Sequence, residues 1–243
     1  MLIKAKKLNG FKLQSKDEEF GKVKEFYFDD DYWTIRYLIA ETGNWLIGNQ
    51  VLLSPHALDT INAEEKYINV NLTKKQIEES PPLKSNKPVS RQFEERYMGY
   101  YGWPKYWVGP YMWGSYPHIG FTGVDLPMPT REPIKSDAHL RSTHDVRRYN
   151  IHAIDGELGH VDDFVIDDKT WEIRYMVIDT KNWIPGKKIL VSPRWIKSIS
   201  WVDSEVKINL HKETIKNAPE YTEETNLNKD YEDRLLKYYN IEK

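Results

Sequence analysis

The chain contains no cysteine. Disulfides, thiolate nucleophiles and cysteine-ligated zinc are therefore excluded together. No apolar run approaches the roughly 20 residues that cross a bilayer, so no membrane span is expected. The opening Met1-Leu2-Ile3-Lys4-Ala5-Lys6-Lys7 has no apolar core behind its charges and does not read as a secretory signal. Excess charge is also missing. A formal net charge of -2 gives no global pull toward nucleic acid or an anionic membrane. These absences read together as a cytoplasmic, soluble, globular chain.

Several chemical signatures are missing as well. The sequence has no His-Glu-x-x-His, no Gly-x-Ser-x-Gly, no glycine-rich run ending in Lys-Ser or Lys-Thr, and no calcium-loop pattern. His139 and His144 stand near Asp137 and Asp145, but their spacing is not that of a metal site, and they read as surface residues. The carboxylates Asp29-Asp30-Asp31, Asp162-Asp163 and Asp167-Asp168 could in principle split their pKa values if held close. At hairpin tips, though, Asp is favoured because its side chain bonds the turn backbone. No catalytic residue, metal or cofactor is expected, and the chain does not read as an enzyme.

What the sequence does have is an internal repeat. Phe20-Gly21-Lys22-Val23 returns as Leu158-Gly159-His160-Val161, and Trp33-Thr34-Ile35-Arg36-Tyr37 as Trp171-Glu172-Ile173-Arg174-Tyr175. Thr42-Gly43-Asn44-Trp45 matches Thr180-Lys181-Asn182-Trp183, and Ser54-Pro55 matches Ser192-Pro193. Every pair is offset by 138 residues, with no gap from Phe11/Tyr149 to Pro81/Pro219. Ordered, ungapped matches that include tryptophans signify duplication.

Each copy reads as short strands. Val23 to Phe28 and Trp33 to Ala40 flank an Asp-rich tip, which predicts a hairpin. Alternation would turn Trp33, Ile35, Tyr37 and Ile39 inward and put Arg36, like Arg174, on the opposite, solvated face, in exposed or inter-barrel pairing with an Asp. Gln50 to Leu53 and Tyr67 to Leu72 continue the series, mirrored by Ile189 to Val191 and Val206 to Leu210. Gly21/Gly159 and Gly48/Gly186 punctuate it where a bulge or positive φ would suit. Many short strands predict a closed or nearly closed barrel. Thr73 to Gln76 has the capping-box pattern of a short helix, for which His211 and Thr214 offer no equivalent cap. A last helix is predicted over Asn228 to Tyr239, with Tyr231, Leu235 and Tyr238 on one stripe.

The Gly-x-Val starts (Gly21-Lys22-Val23, Gly159-His160-Val161), the Asp-Asp tips, the Ile-Arg-Tyr strands and the Ser-Pro pairs resemble the PRC-barrel family. That family includes the barrel of the photosynthetic reaction-centre H subunit and the C-terminal domain of a ribosome-maturation factor. The resemblance covers about Leu8 to Leu83 and His144 to Tyr221. It implies a barrel used for assembly and protein contact, with no shared active site. The expected fold is mainly β: two small PRC-type barrels in tandem, short flanking helices and an aromatic-rich irregular connector. The expected boundaries are 1–83, a connector at 84–138, a second repeat at 139–222 and a C-terminal helix at 223–243.

The connector carries the other excess. Much of the chain's 9 Trp and 16 Tyr crowds into it, at Tyr97, Tyr100, Tyr101, Trp103, Tyr106, Trp107, Tyr111, Trp113 and Tyr116. Interleaved Gly and Pro argue against regular structure. So many rings must cover the barrels, pack between chains or meet a partner. Tyr100, Tyr101, Trp103, Tyr106, Trp107, Tyr111, Trp113 and Tyr116 are thus the candidate interaction surface. The leading functional expectation is a non-enzymatic adaptor that binds a protein partner or itself, most simply as a dimer. One alternative is a small-molecule or redox-cofactor pocket lined by Trp103, Trp107 and Trp113. Another is a ribosome- or RNA-associated factor, which the net charge of -2 does not encourage.

Overall fold

The computed structural model describes residues 1–43, 49–84, 89–107, 139–180, 186–222, 224–225 and 227–239. Among these residues strand outweighs helix, 42% against 24%, so the fold is mainly β. The first copy supplies β1 (Leu2–Lys4), α1 (Ala5–Leu8), β2 (Lys12–Gln14), β3 (Glu19–Asp29) and β4 (Thr34–Glu41). It continues through β5 (Asn49–Leu53), β6 (Leu58–Asn62), β7 (Tyr67–Val70), α2 (Lys74–Glu78), β8 (Leu83–Lys84) and α3 (Arg91–Tyr101). The second supplies β9 (Leu140–Ser142), α4 (Thr143–Val146), β10 (Asn150–Ala153), β11 (Gly156–Asp167) and β12 (Ile173–Asp179). β13 (Lys188–Val191), β14 (Ile196–Ser200), β15 (Glu205–Ile208), α5 (Lys212–Lys216) and α6 (Lys229–Tyr238) complete it.

The chain forms two compact units whose membership is not contiguous. The leading unit holds Asn9–Asp31 and Ile35–Arg141; the trailing unit holds Met1–Leu8, Tyr32–Thr34 and Ser142–Lys243. In the trailing unit β1 runs antiparallel to the end of β11, with Ile3 opposite Ile166. The start of β11 pairs with β10 instead, Asn150 opposite His160. In the leading unit β9 takes the matching place on β3. Asp168 N–H donates to Met1 O at 3.0 Å, and its equivalent, Asp30 N–H, donates to His139 O at 3.1 Å. Each sheet is therefore completed by the strand that precedes the other copy. The long strands β3 and β11 permit this because each is long enough to serve two short partners on one edge.

The two sheets have the same order, β6-β7-β2-β3-β4-β5-β8 and β13-β12-β11-β10-β15-β14. Within them β2 pairs parallel to β7 and β10 parallel to β15. Among the described residues no ladder joins the two ends, so the barrel is open rather than closed. The physical reason lies at the edge. The chain returning from α2 pairs as β8 with β5, and Tyr221 N–H donates to Lys188 O at 2.9 Å on β13. A closing strand would need that same row of backbone groups. Gly21 and Gly159 sit where strands approach too closely for a side chain. A Cβ would lie 2.4 Å from Glu41 O at the first and 2.0 Å from Asp179 O at the second.

Helices close one face of each sheet. The Thr73 capping box forms with both of its hydrogen bonds. His211 makes no side-chain cap, and Asp155 instead accepts from Lys212 N–H at 2.9 Å. The expectation of irregular structure throughout the connector is corrected by α3. Ser90 caps its start, accepting from Phe93 N–H, and Gly102 ends it in the left-handed region at φ 69°. Gly99 is tolerated inside because Phe93, Tyr97 and Met98 dock on the sheet. In α6, Asn228 caps the predicted helix, and Tyr231 and Leu235 are buried. α3 and α6 are themselves equivalent. Val89/Leu227, Phe93/Tyr231, Tyr97/Leu235 and Tyr101/Tyr239 keep the 138-residue offset and pack against Tyr37/Tyr175 and Leu52/Leu190. The repeat thus runs on through the helices that follow each sheet.

Candidate functional site

β4 is buried on both faces, with α3 packed on the side of Tyr37 and Ile39 and the opposite side, which carries Arg36, buried as well. Arg36 is accordingly 0% exposed, which corrects its placement on a solvated face. Its Nε donates to Asp29 Oδ2 at 2.8 Å, so its partner is an Asp of its own hairpin and the pair is neither exposed nor inter-barrel. Its guanidinium lies under the ring of Tyr106, 4.1 Å from the centroid. A buried arginine needs such partners, since desolvating an unpaired charge costs several kcal/mol, on the order of 3–5 when one partner is removed.

Glu94, one turn into α3, sits at the centre of the network. Its Oε1 accepts from Tyr37 Oη at 2.9 Å and from Tyr106 Oη at 2.5 Å. Its Oε2 is met by Arg91 Nη1 at 3.1 Å and by His139 Nε2 at 3.3 Å. His139 also shares a hydrogen bond with Tyr106 Oη at 2.9 Å. A carboxylate offers about four acceptor positions; three hydrogen bonds fill positions here, and the His139 ring stands against Oε2 beside them. The arrangement therefore ties β4, α3, the segment after α3 and the residue before β9 to one point. The Tyr37 and Tyr106 phenols are held well above their usual range, first by burial and then by the charge of Glu94. Tyr97 is raised by burial too, while it donates to Leu52 O at 2.7 Å and accepts from Ser54 N–H.

The eight candidate surface residues divide accordingly. Tyr106 is buried in the network, and Trp107 is half-buried under Arg91, 4.2 Å from ring to guanidinium. Tyr101 stacks on Trp103 with centroids 4.3 Å apart, and Trp103 stacks in turn on His56 at 5.7 Å. Tyr100 meets Tyr101 edge-on and is 41% exposed. Tyr100 and Tyr101 both donate to Gln76 O, at 3.1 and 3.3 Å, which anchors the ladder to α2. The ladder of Tyr100, Tyr101, Trp103 and His56 thus reaches the surface of the leading unit. Tyr111, Trp113 and Tyr116 lie outside the described residues, as do Gly48 and Trp183.

The carboxylates do more than shape turns. Asp29 and Asp167 do accept from turn N–H groups, as expected. Asp30 pairs with Arg141 at 2.9 Å. Asp162 bridges Lys6 and Lys188, the latter at 2.9 Å. Asp163 is 1% exposed, accepts from Lys6 N–H at 3.2 Å and from Phe164 N–H at 2.8 Å, and has no partner at Oδ2 among the described residues. Burial pushes its carboxyl up to about 6. His144 is exposed beside Asp145. Among the described residues no group of three or more His, Asp or Glu is arranged to hold a metal. No described helix is long and apolar enough to cross a membrane.

Sequence reasoning missed Glu94 and Arg91. The offset was the available signal for Glu94. Ser90/Asn228 and Glu94/Glu232 continue it past Pro81/Pro219, where the chain reads as a connector. Asp163 was named beside Asp162, but its burial gave no signal, because its equivalent is Glu25 and both sit beside charged neighbours in strands.

No curated protein matches the chain. The PRC-barrel domain family matches it twice, over residues 2–77 and 140–215, which together exceed half its length. Each match begins at β1 or β9, the strands that change places, and ends in α2 or α5. With two copies of one strand order and two family matches at the spacing of the repeat, the chain belongs to the PRC-barrel domain family as a tandem member.

Proposed function

We propose that this chain is a non-enzymatic, cytoplasmic assembly protein that associates with a protein partner, including a second copy of itself, through its barrel units. The observation that carries the reading is the aromatic ladder of Tyr100, Tyr101, Trp103 and His56 at the surface of the leading unit. Tyr and Trp combine apolar area with a polar handle, and they concentrate where surfaces are covered by other proteins. The Glu94 network supports the same reading. Its carboxylate is surrounded by four neighbours, so it acts as a clamp behind the ladder and not as an available acid or base.

The test is sizing by light scattering, paired with affinity capture, for wild type and for Tyr100→Ser/Trp103→Ser. Neither side chain is fully buried, so the double variant should keep its melting transition. The expected result is a wild-type dimer or a specific retained protein, and loss of that association in the variant. Equal behaviour of the two proteins, both folded, refutes the ladder as the contact.

A further inference from the structure

The duplication allows one unit to be compared with the other residue by residue. In the leading unit, Arg36, Tyr37 and Glu94 form a niche closed by the ring of Tyr106. In the trailing unit the same residue types recur at the same offset as Arg174, Tyr175 and Glu232. Tyr175 Oη donates to Glu232 Oε1 at 3.1 Å, as Tyr37 donates to Glu94. The rest of the niche differs. Arg174 is 37% exposed along its side chain, against 0% for Arg36. Its Nη1 and Nη2 reach Glu172 and Glu232 only at 3.5 Å, and among the described residues no aromatic ring lies over its guanidinium. Among the described residues Glu232 holds two partners where Glu94 holds four.

We propose that the Arg174–Tyr175–Glu232 niche is the docking point for a tyrosine side chain carried on a segment of a partner protein. The phenol ring covers the Arg174 guanidinium and its hydroxyl donates to Glu232, repeating the role of Tyr106 in the leading unit. The site's chemistry selects this ligand over others. Glu172 and Glu232 repel a phosphate or a carboxylate at the guanidinium. A phenylalanine would cover Arg174 but leave the open acceptor on Glu232 unused. The exposed face of an arginine is a good stacking surface for an aromatic ring. A single ring binds too weakly to persist alone, so it must arrive on a longer segment with contacts of its own. The inference rests on the assembly reading and names the contact for it.

The probe is the capped hexapeptide Gly-Trp-Pro-Lys-Tyr-Trp, which copies residues 102–107 of this chain, added to the isotope-labelled full-length protein. The expected result is saturable chemical-shift change at the amides of Arg174, Tyr175 and Glu232. Replacing the peptide's tyrosine by alanine, or Arg174→Ala in the protein, should weaken binding about ten-fold; a phenylalanine peptide and Glu232→Gln should each weaken it a few-fold. Arg174→Gln serves in place of Arg174→Ala if the latter does not fold. The proposal is overturned if the shifts fall elsewhere, if Arg174→Ala leaves them unchanged, or if free p-cresol binds as well as the peptide. Association that is lost in Tyr100→Ser/Trp103→Ser but unmoved by Arg174→Ala would remove the niche and leave the assembly reading standing.

Discussion

Asp163→Asn should make the protein more stable at neutral pH, and the gain should disappear in acid. Asp163 is 1% exposed in the middle of β11, and its carboxyl titrates at about 6 where an unfolded chain has 3.8. Desolvation is the main cause. The N–H groups of Phe164 and Lys6 and the charge of Lys6 oppose it, and Asp162 adds to it. Lys4 and Tyr221 also face this cluster, and Lys188 reaches it through Asp162. The sign follows from proton binding. The folded state holds the Asp163 proton more tightly than the unfolded state does. Stability from this group is therefore greatest below pH 3.8, declines as pH rises, and reaches its lowest level above about 6. The difference of about 2 pH units corresponds to about 3 kcal/mol. An asparagine keeps the Oδ1 acceptor for Lys6 and Phe164 and carries no charge. Urea unfolding of both proteins from pH 4 to pH 8 is the assay. The expected curves run close together at pH 4 and separate above pH 6, with Asp163→Asn higher by up to about 3 kcal/mol, less the cost of burying its amide hydrogens. A difference that is flat with pH, or one that grows toward acid, refutes the reasoning.

The paired units predict unequal costs for equivalent changes. Glu94→Ala strands Arg91 and two buried phenols and should cost about 3–5 kcal/mol. Glu232→Ala, in a part-exposed site, should cost about 1 kcal/mol by the same thermal melts. Deleting residues 2–8 should strip hydrogen-exchange protection from Val165 to Asp167 on β11 while leaving β4 of the leading unit protected. Gly159→Ala should lower stability by about 2 kcal/mol or more in denaturant unfolding, because its Cβ would press on Asp179 O at 2.0 Å and φ is +151°; Gly10→Ala, with open space around it, isolates the φ penalty alone.

Local chemistry explains which elements were legible. The Asp-rich tips fold as turns because Asp29 and Asp167 accept from backbone within two residues, a bond that sequence spacing fully specifies. The Thr73 capping box and the Asn228 cap are equally local. α3 was hidden by its composition: Gly99, Gly102 and Pro104 read as breakers, yet Gly102 is its C-cap and Gly99 is carried by docking. Arg36 was misplaced because alternation assumes one dry face, and β4 has two. The expected role of Tyr106 as surface gave way to burial for the same reason, since Arg36 and Glu94 supply the polar partners its ring and hydroxyl need.

The sequence by itself determined the duplication, the β-rich family fold and the local caps and turns, because each is written in residues close together or repeated in order. Tertiary structure alone decided three things. It put β1 on β11 and β9 on β3, a choice of partner that short strands of similar pattern do not encode locally. It left the barrels open, because the chain leaving each small helix occupies the free edge. And it gathered Asp29, Arg36, Glu94, Tyr106 and His139 from across 111 residues into one buried network while leaving the matching niche at Arg174 uncovered, because burial of charge is settled only by what packs above it.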